Sequence, residues 1–210
     1  MQRQVQASYI FRLIDKDQSG WTAFCEALPS SKIQKLVLSD IGIGPLGLTT
    51  LAKFTPGSAA LNEITLDSTG DVKQPKAYTI SGLQGGAEPS LDLSSLNFGP
   101  ADVSFLATLF TSFRLFTPAL SEVNLSMNKC FGDKEGYDES YNNIRVHDVD
   151  KDQTGWTAFC EAIKHNKLMK TLILSDIGIG PVGLTTLAKF IPDSTALTAV
   201  NVMKLSLIHI

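Results

Sequence analysis

Cysteine and histidine are scarce in this 210-residue chain, with three of each. Cys25, Cys130 and Cys160 are too few and too widely spaced for a disulfide framework or a zinc site. His147, His165 and His209 are not spaced as metal ligands. Basic runs are also missing. The 18 Lys and Arg residues are scattered among 21 Asp and Glu, for a formal net charge of −3, which argues against nucleic acid as a ligand. No apolar run is long enough to cross a bilayer, so no membrane role is expected. The opening MQRQVQASYIF has no signal-peptide core. GxSxG, HExxH and Walker A patterns are absent too. The expectation is a chain without catalytic activity or cofactor, kept in the cytoplasm with free thiols.

What the sequence does have is repetition. LSDIGIGPLGLTTLAKF at 38–54 returns as LSDIGIGPVGLTTLAKF at 174–190. DKDQSGWTAFCE at 15–26 returns as DKDQTGWTAFCE at 150–161. A block spanning 9–63 is thus duplicated at 144–199. A shorter period lies beneath it. Apolar residues at relative positions 0, 2 and 5 start at 9, 36, 64, 91, 123, 144, 172 and 200, mostly 27 or 28 residues apart. Leu36, Leu38 and Ile41 show the pattern, as do Val123 and Leu125 with Asn128. The 0/2 alternation predicts a short strand with one face buried. A helical pattern follows most of the strands. Leu51 and Ala52 after Gly47, or Leu187, Ala188 and Ile191 after Gly183, line one helix side. By the same register Phe24 and Cys25, with Phe159 and Cys160, fall in core columns.

This strand, glycine turn and helix at a 28-residue period resembles the leucine-rich repeat of the ribonuclease-inhibitor type. The resemblance implies an α/β solenoid of seven to eight stacked repeats, with a curved parallel sheet on the concave face and helices outside. It covers residues 1–204 as one domain. Two units depart from it. DSTGDVKQPKAYTISGLQGGAEPS at 67–90 and KCFGDKEGYDESYNN at 129–143 lack helical periodicity and predict irregular loops, the first with a strand-like AYTI. Residues 205–210, LSLIHI, resemble the translation of a sequencing-transposon end, so the chain reads as a fragment with a non-native tail.

Two motifs suggest ligands. The DKDQ stretches have EF-hand spacing, with Asp15, Asp17, Ser19 and Glu26 in one copy and Asp150, Asp152, Thr154 and Glu161 in the other. A calcium-binding sensor is therefore the alternative function. Against it, Glu26 and Glu161 share columns with Lys53 and Lys189, and Pro29 would cut the outgoing helix short. GIGPLG at 42–47 and GIGPVG at 178–183 match GxGxxG, but Pro45 and Pro181 have no N–H to offer a phosphate.

The residues between buried strand positions should form the exposed face. They are short, polar and tilted acidic, with Asp67, Asp92, Asn124, Arg145, His147 and Asp148 the varied centre. The resemblance implies that this face binds another protein, and the acidic tilt suggests a partner with a basic surface. A second alternative, also by resemblance, is regulation of a small GTPase, for which no residues can be named.

Overall fold

In the computed structural model, strand, turn and helix recur as the periodicity predicts, but they do not stack into one continuous sheet. The structure describes residues 17–71, 74–86, 88–112, 120–132, 136–138, 143–145, 150–164, 166 and 168–203. Five α-helices are described: α1 Ser19–Ala27, α2 Pro45–Phe54, α3 Pro100–Ser112, α4 Thr154–Lys164 and α5 Pro181–Phe190. The strands are β1 Lys35–Val37, β2 Glu63–Asp67, β3 Ala77–Ser81, β4 Ser90–Asp92, β5 Glu122–Asn124, β6 Gly136–Asp138, β7 Asn143–Arg145, β8 Thr171–Ile173 and β9 Ala199–Asn201. They form a three-stranded sheet in the order β1-β2-β3, a four-stranded sheet β4-β5-β8-β9, and the hairpin β6-β7.

This corrects the expected solenoid of seven to eight repeats. The fold is α/β with two short sheets, and two insertions explain why. After β2 the chain turns back within a few residues, and β3 pairs antiparallel with β2 from Glu63↔Ser81 to Asp67↔Ala77. The strand-like AYTI therefore takes the sheet edge that a parallel strand at Leu91 would have used. Its alternation is that of a strand with one buried face: Tyr78 and Ile80 are buried, while Ala77, Thr79 and Ser81 are exposed. The Thr65 and Thr79 hydroxyls, 2.8 Å apart, lock the register. Further on, β5 pairs directly with β8, Asn124 opposite Ile173. The strand expected between them, β7, pairs with β6 instead. The unit expected to start at Tyr9 lies outside the described residues.

Local chemistry sets the helix ends. Gly44 and Gly180 precede α2 and α5 in extended conformation, and Pro45 and Pro181 occupy the first helical turn, where a missing N–H costs nothing. Pro29, Pro56 and Pro192 sit in the short 3₁₀ turns that follow α1, α2 and α5. The tryptophan of each duplicate ties its helix to the next: Trp21 Nε1 donates to Gly47 O at 2.8 Å, and Trp156 Nε1 donates to Gly183 O at 2.9 Å.

Helices and buried strand positions share one apolar core, with Leu36, Ile64, Leu91, Val123, Leu172 and Val200 on the inner sheet faces. The two copies sit in it differently. Phe159 is fully buried against Trp156 and Phe110, with ring centroids 5.7 and 5.8 Å away. Phe24, expected in a core column, is 38% exposed, because no described helix covers that side of α1.

The same asymmetry reaches the glycines. A Cβ at Gly155 would lie 2.1 Å from the Pro100 carbonyl oxygen, because α4 packs directly on α3 at this point. A Cβ at Gly20 would meet nothing within 4 Å. Gly155→Ala should therefore destabilise the protein by roughly 2–3 kcal/mol through overpacking. Gly20→Ala, within α1, should be neutral or stabilise by up to about 1 kcal/mol. Urea midpoints of the two variants check this; equal effects would contradict the packing described.

Candidate partner-binding site

The outward residues of the four-stranded sheet are Ser90 and Asp92 on β4, Glu122 and Asn124 on β5, Thr171 and Ile173 on β8, and Ala199 and Asn201 on β9. All are exposed or half-buried. Their neighbours Val123 and Leu172 point inward and are fully buried. Parallel sheets generally have both faces covered. Here, among the described residues, only one is.

The expected site residues separate into groups. Asp92 and Asn124 are brought together as paired neighbours on β4 and β5. Both also have local work: Asp92 Oδ1 accepts from Ser94 N and Asn124 Oδ1 from Ser126 N, each at 3.0 Å, turning the chain after its strand. Asp67 lies on the other sheet, at the end of β2, where its carboxylate accepts from Asp40 N. Arg145 is at the end of β7 in the separate hairpin, paired with Gly136. His147 and Asp148 lie outside the described residues.

Three acids of the calcium-like stretches, Asp17, Asp150 and Asp152, accept from N–H groups at helix starts. Asp17 Oδ1 accepts from Ser19 N at 3.0 Å and Ser19 Oγ at 2.8 Å, which holds the carboxyl below its usual range. Asp152 Oδ1 accepts from Thr154 N at 2.9 Å. Asp150 turns away to the start of α5 and accepts from Gly180, Val182 and Gly183 N at 2.8–3.1 Å. Those are orphan N–H groups at a helix start, where negative charge is favourable. Glu161 lies 4.0 Å from Lys164, and Glu26 is exposed. Asp15 is outside the described residues. Among the described residues no cluster of three or more His, Cys, Asp or Glu is gathered for a metal.

The two sheets meet at β3 and β4, which do not pair with each other. One end of this seam is pinned. A Cβ on Gly99 would come within 2.8 Å of Gly70 Cα, so the two backbones touch there. Gly70 N donates to Asn97 O, Asn97 Nδ2 to Gln74 O, and Lys76 Nζ to Ser95 O. Beneath them lies Asp102, with no exposed surface. Its Oδ2 accepts from Thr69 N, Thr69 Oγ1 and Gly99 N at 2.7–2.8 Å, and its Oδ1 from the Tyr78 hydroxyl at 3.3 Å. Asn128, also buried, binds the loops after β4 and β5 together: Nδ2 donates to Leu93 and Leu125 O, and Oδ1 accepts from Leu96 and Phe98 N. Asp102 is not among the site residues expected from the sequence. The available signal was an acid in the first turn of a helix opened by Gly-Pro.

The other end of the seam is open. A pocket of about 100 Å³ lies between the strands, lined by Thr79, Ile80, Ser81, Glu88, Ser90, Leu91 and Leu120. Burial pushes the thiol of Cys160 up to about 12 and that of Cys25 up to about 11, so neither forms a thiolate near neutral pH. No described helix is long and apolar enough to cross a membrane. No protein-family model matches the chain, and no curated protein matches it in sequence.

Burial pushes the Asp102 carboxyl up to about 6, against the pull of the donors from Gly99 and Thr69. Burial, with the Asp102 charge, likewise raises the Tyr78 phenol well above its usual range. The folded carboxyl thus keeps its proton after the unfolded chain has lost its own, near about 3.9. Its contribution to stability is greatest below about pH 4 and falls as pH rises to about 6, by about 3 kcal/mol. Asp102→Asn keeps the shape and removes the titration. Urea unfolding from pH 4 to 7 should show the wild type losing ground to Asp102→Asn by roughly that amount. A constant difference across the window would contradict it.

Proposed function

We propose that this chain is a non-catalytic binding module that recognises another protein through the open face of the four-stranded sheet. The observation that carries the reading is the all-parallel sheet β4-β5-β8-β9 with the described helices on one side only. A sheet of this kind is normally covered on both faces, and a partner would supply the missing layer. The charge pattern favours a basic partner. Asp92 and Glu122 are the only charged outward residues of the four strands, and both are acidic. Asn124, Thr171 and Asn201 add hydrogen-bonding groups around the half-buried Ile173, a mixture suited to the rim and centre of a modest interface. Three buried cysteines with no disulfide between them fit a reducing compartment, and we place the chain in the cytosol.

Glu122→Lys combined with Asn124→Lys reverses the character of the central strand β5 without touching the core. Capture of a partner from lysate should fall about tenfold or more, with the circular dichroism spectrum of the wild type retained. Unchanged capture by a folded double variant would remove the open face from consideration.

A further inference from the structure

The seam between the two sheets offers more than a gap. Ser68 N donates to Lys76 O, so the hydrogen-bonded residues of β3 are the even-numbered ones facing β2. Thr79 and Ser81 then turn their N–H and C=O groups towards β4. On β4, Leu93 N donates to Asn124 O, so by the same alternation Ser90 and Asp92 turn theirs towards β3. Among the described residues, two strand edges therefore face one another without pairing. Edges of this kind are usually blunted by Lys, Pro or a bulge. Neither β3, AYTIS, nor β4, SLD, contains a Lys or Pro.

The pocket between these edges has a definite chemistry. Ile80, Leu91 and Leu120 give it an apolar floor, and at about 100 Å³ it is close in size to one branched aliphatic side chain. Its exposed rim carries Glu88, and Glu122 stands beside it, accepting from Ser90 Oγ at 2.9 Å. Among the described residues, no basic residue lines it.

We propose that the open end of the β3–β4 seam is a docking slot for an extended, basic segment of another protein, which adds to the exposed strand edges. The backbone of Thr79 and Ser81 or of Ser90 and Asp92 supplies main-chain hydrogen bonds. The pocket takes one aliphatic side chain, and Glu88 takes a neighbouring Lys or Arg. Strand addition of this type derives affinity from the main chain and specificity from alternate side chains. The proposal rests on the protein-binding reading and deepens it by naming the form of the partner.

The test uses a fluorescent eight-residue peptide of alternating valine and lysine, and the same peptide N-methylated at every second amide. Fluorescence anisotropy should show saturable binding of the first to the full chain. N-methylation should weaken it about tenfold or more, because it removes the main-chain donors. Ser81→Trp, an exposed position at the pocket mouth, should do the same by filling the slot. Glu88→Lys, in an exposed loop, should weaken binding through charge alone and serves if the tryptophan variant fails to fold. No saturation at millimolar peptide, or binding indifferent to N-methylation, would overturn the proposal. If the peptide fails while the β5 double variant still loses its partner, the slot is wrong and the open-face reading stands. If the peptide binds as described while the β5 variant captures normally, the slot stands and the open face falls.

Discussion

The buried carboxylate of Asp102 is where the two halves of the molecule are joined. It receives Thr69 from the loop after β2, Tyr78 from β3 and Gly99 from the start of α3. Thr69 and Tyr78 belong to the β1-β2-β3 sheet and Gly99 follows β4 of the other sheet, so the contact ties the two sheets together. Burying a carboxyl is costly unless its oxygens are well supplied with donors. Four donors offset part of that cost here, and the glycine pair Gly70 and Gly99 lets the backbones approach closely enough to deliver them. Because the join lies at one end of the seam, the strand edges at the other end need not pair.

Packing context decides what a side chain does in this fold. Asp150 caps α5 from a different unit, whereas Asp102 caps α3 from within its own first turn. Both satisfy N–H groups at a helix start, one across the stack and one locally. Likewise Trp156 and Phe159 are sealed in by Phe131 and Phe110, while Phe24 stays half-exposed. Nothing in the repeated motif itself distinguishes Phe24 from Phe159. The difference lies in which neighbour each copy packs against.

Local order was legible in the sequence wherever period and punctuation agreed. The alternation at Leu36 and Leu38 and the helical offsets after Gly47 and Gly183 correspond to β1, α2 and α5. Even AYTI was readable as a strand. Its partner and direction were not, because a short antiparallel return and a long parallel crossover both present the same alternating face. That one ambiguity turned an expected continuous sheet into two. The candidate residues separate accordingly: Asp92 and Asn124 lie side by side, while Asp67 and Arg145 lie in other sheets. The seam could not be read at all, since it exists only where two edges fail to meet.

An unpaired seam, held at one end by a carboxylate and open at the other, is the central claim. Residue-resolved amide hydrogen exchange on the unliganded chain tests it most directly. Tyr78 and Ile80, bonded to β2, should exchange slowly, while Thr79, Ser81 and Asp92 should exchange fast. Uniformly slow exchange along β3 and β4 would mean that the edges are paired, and would contradict it.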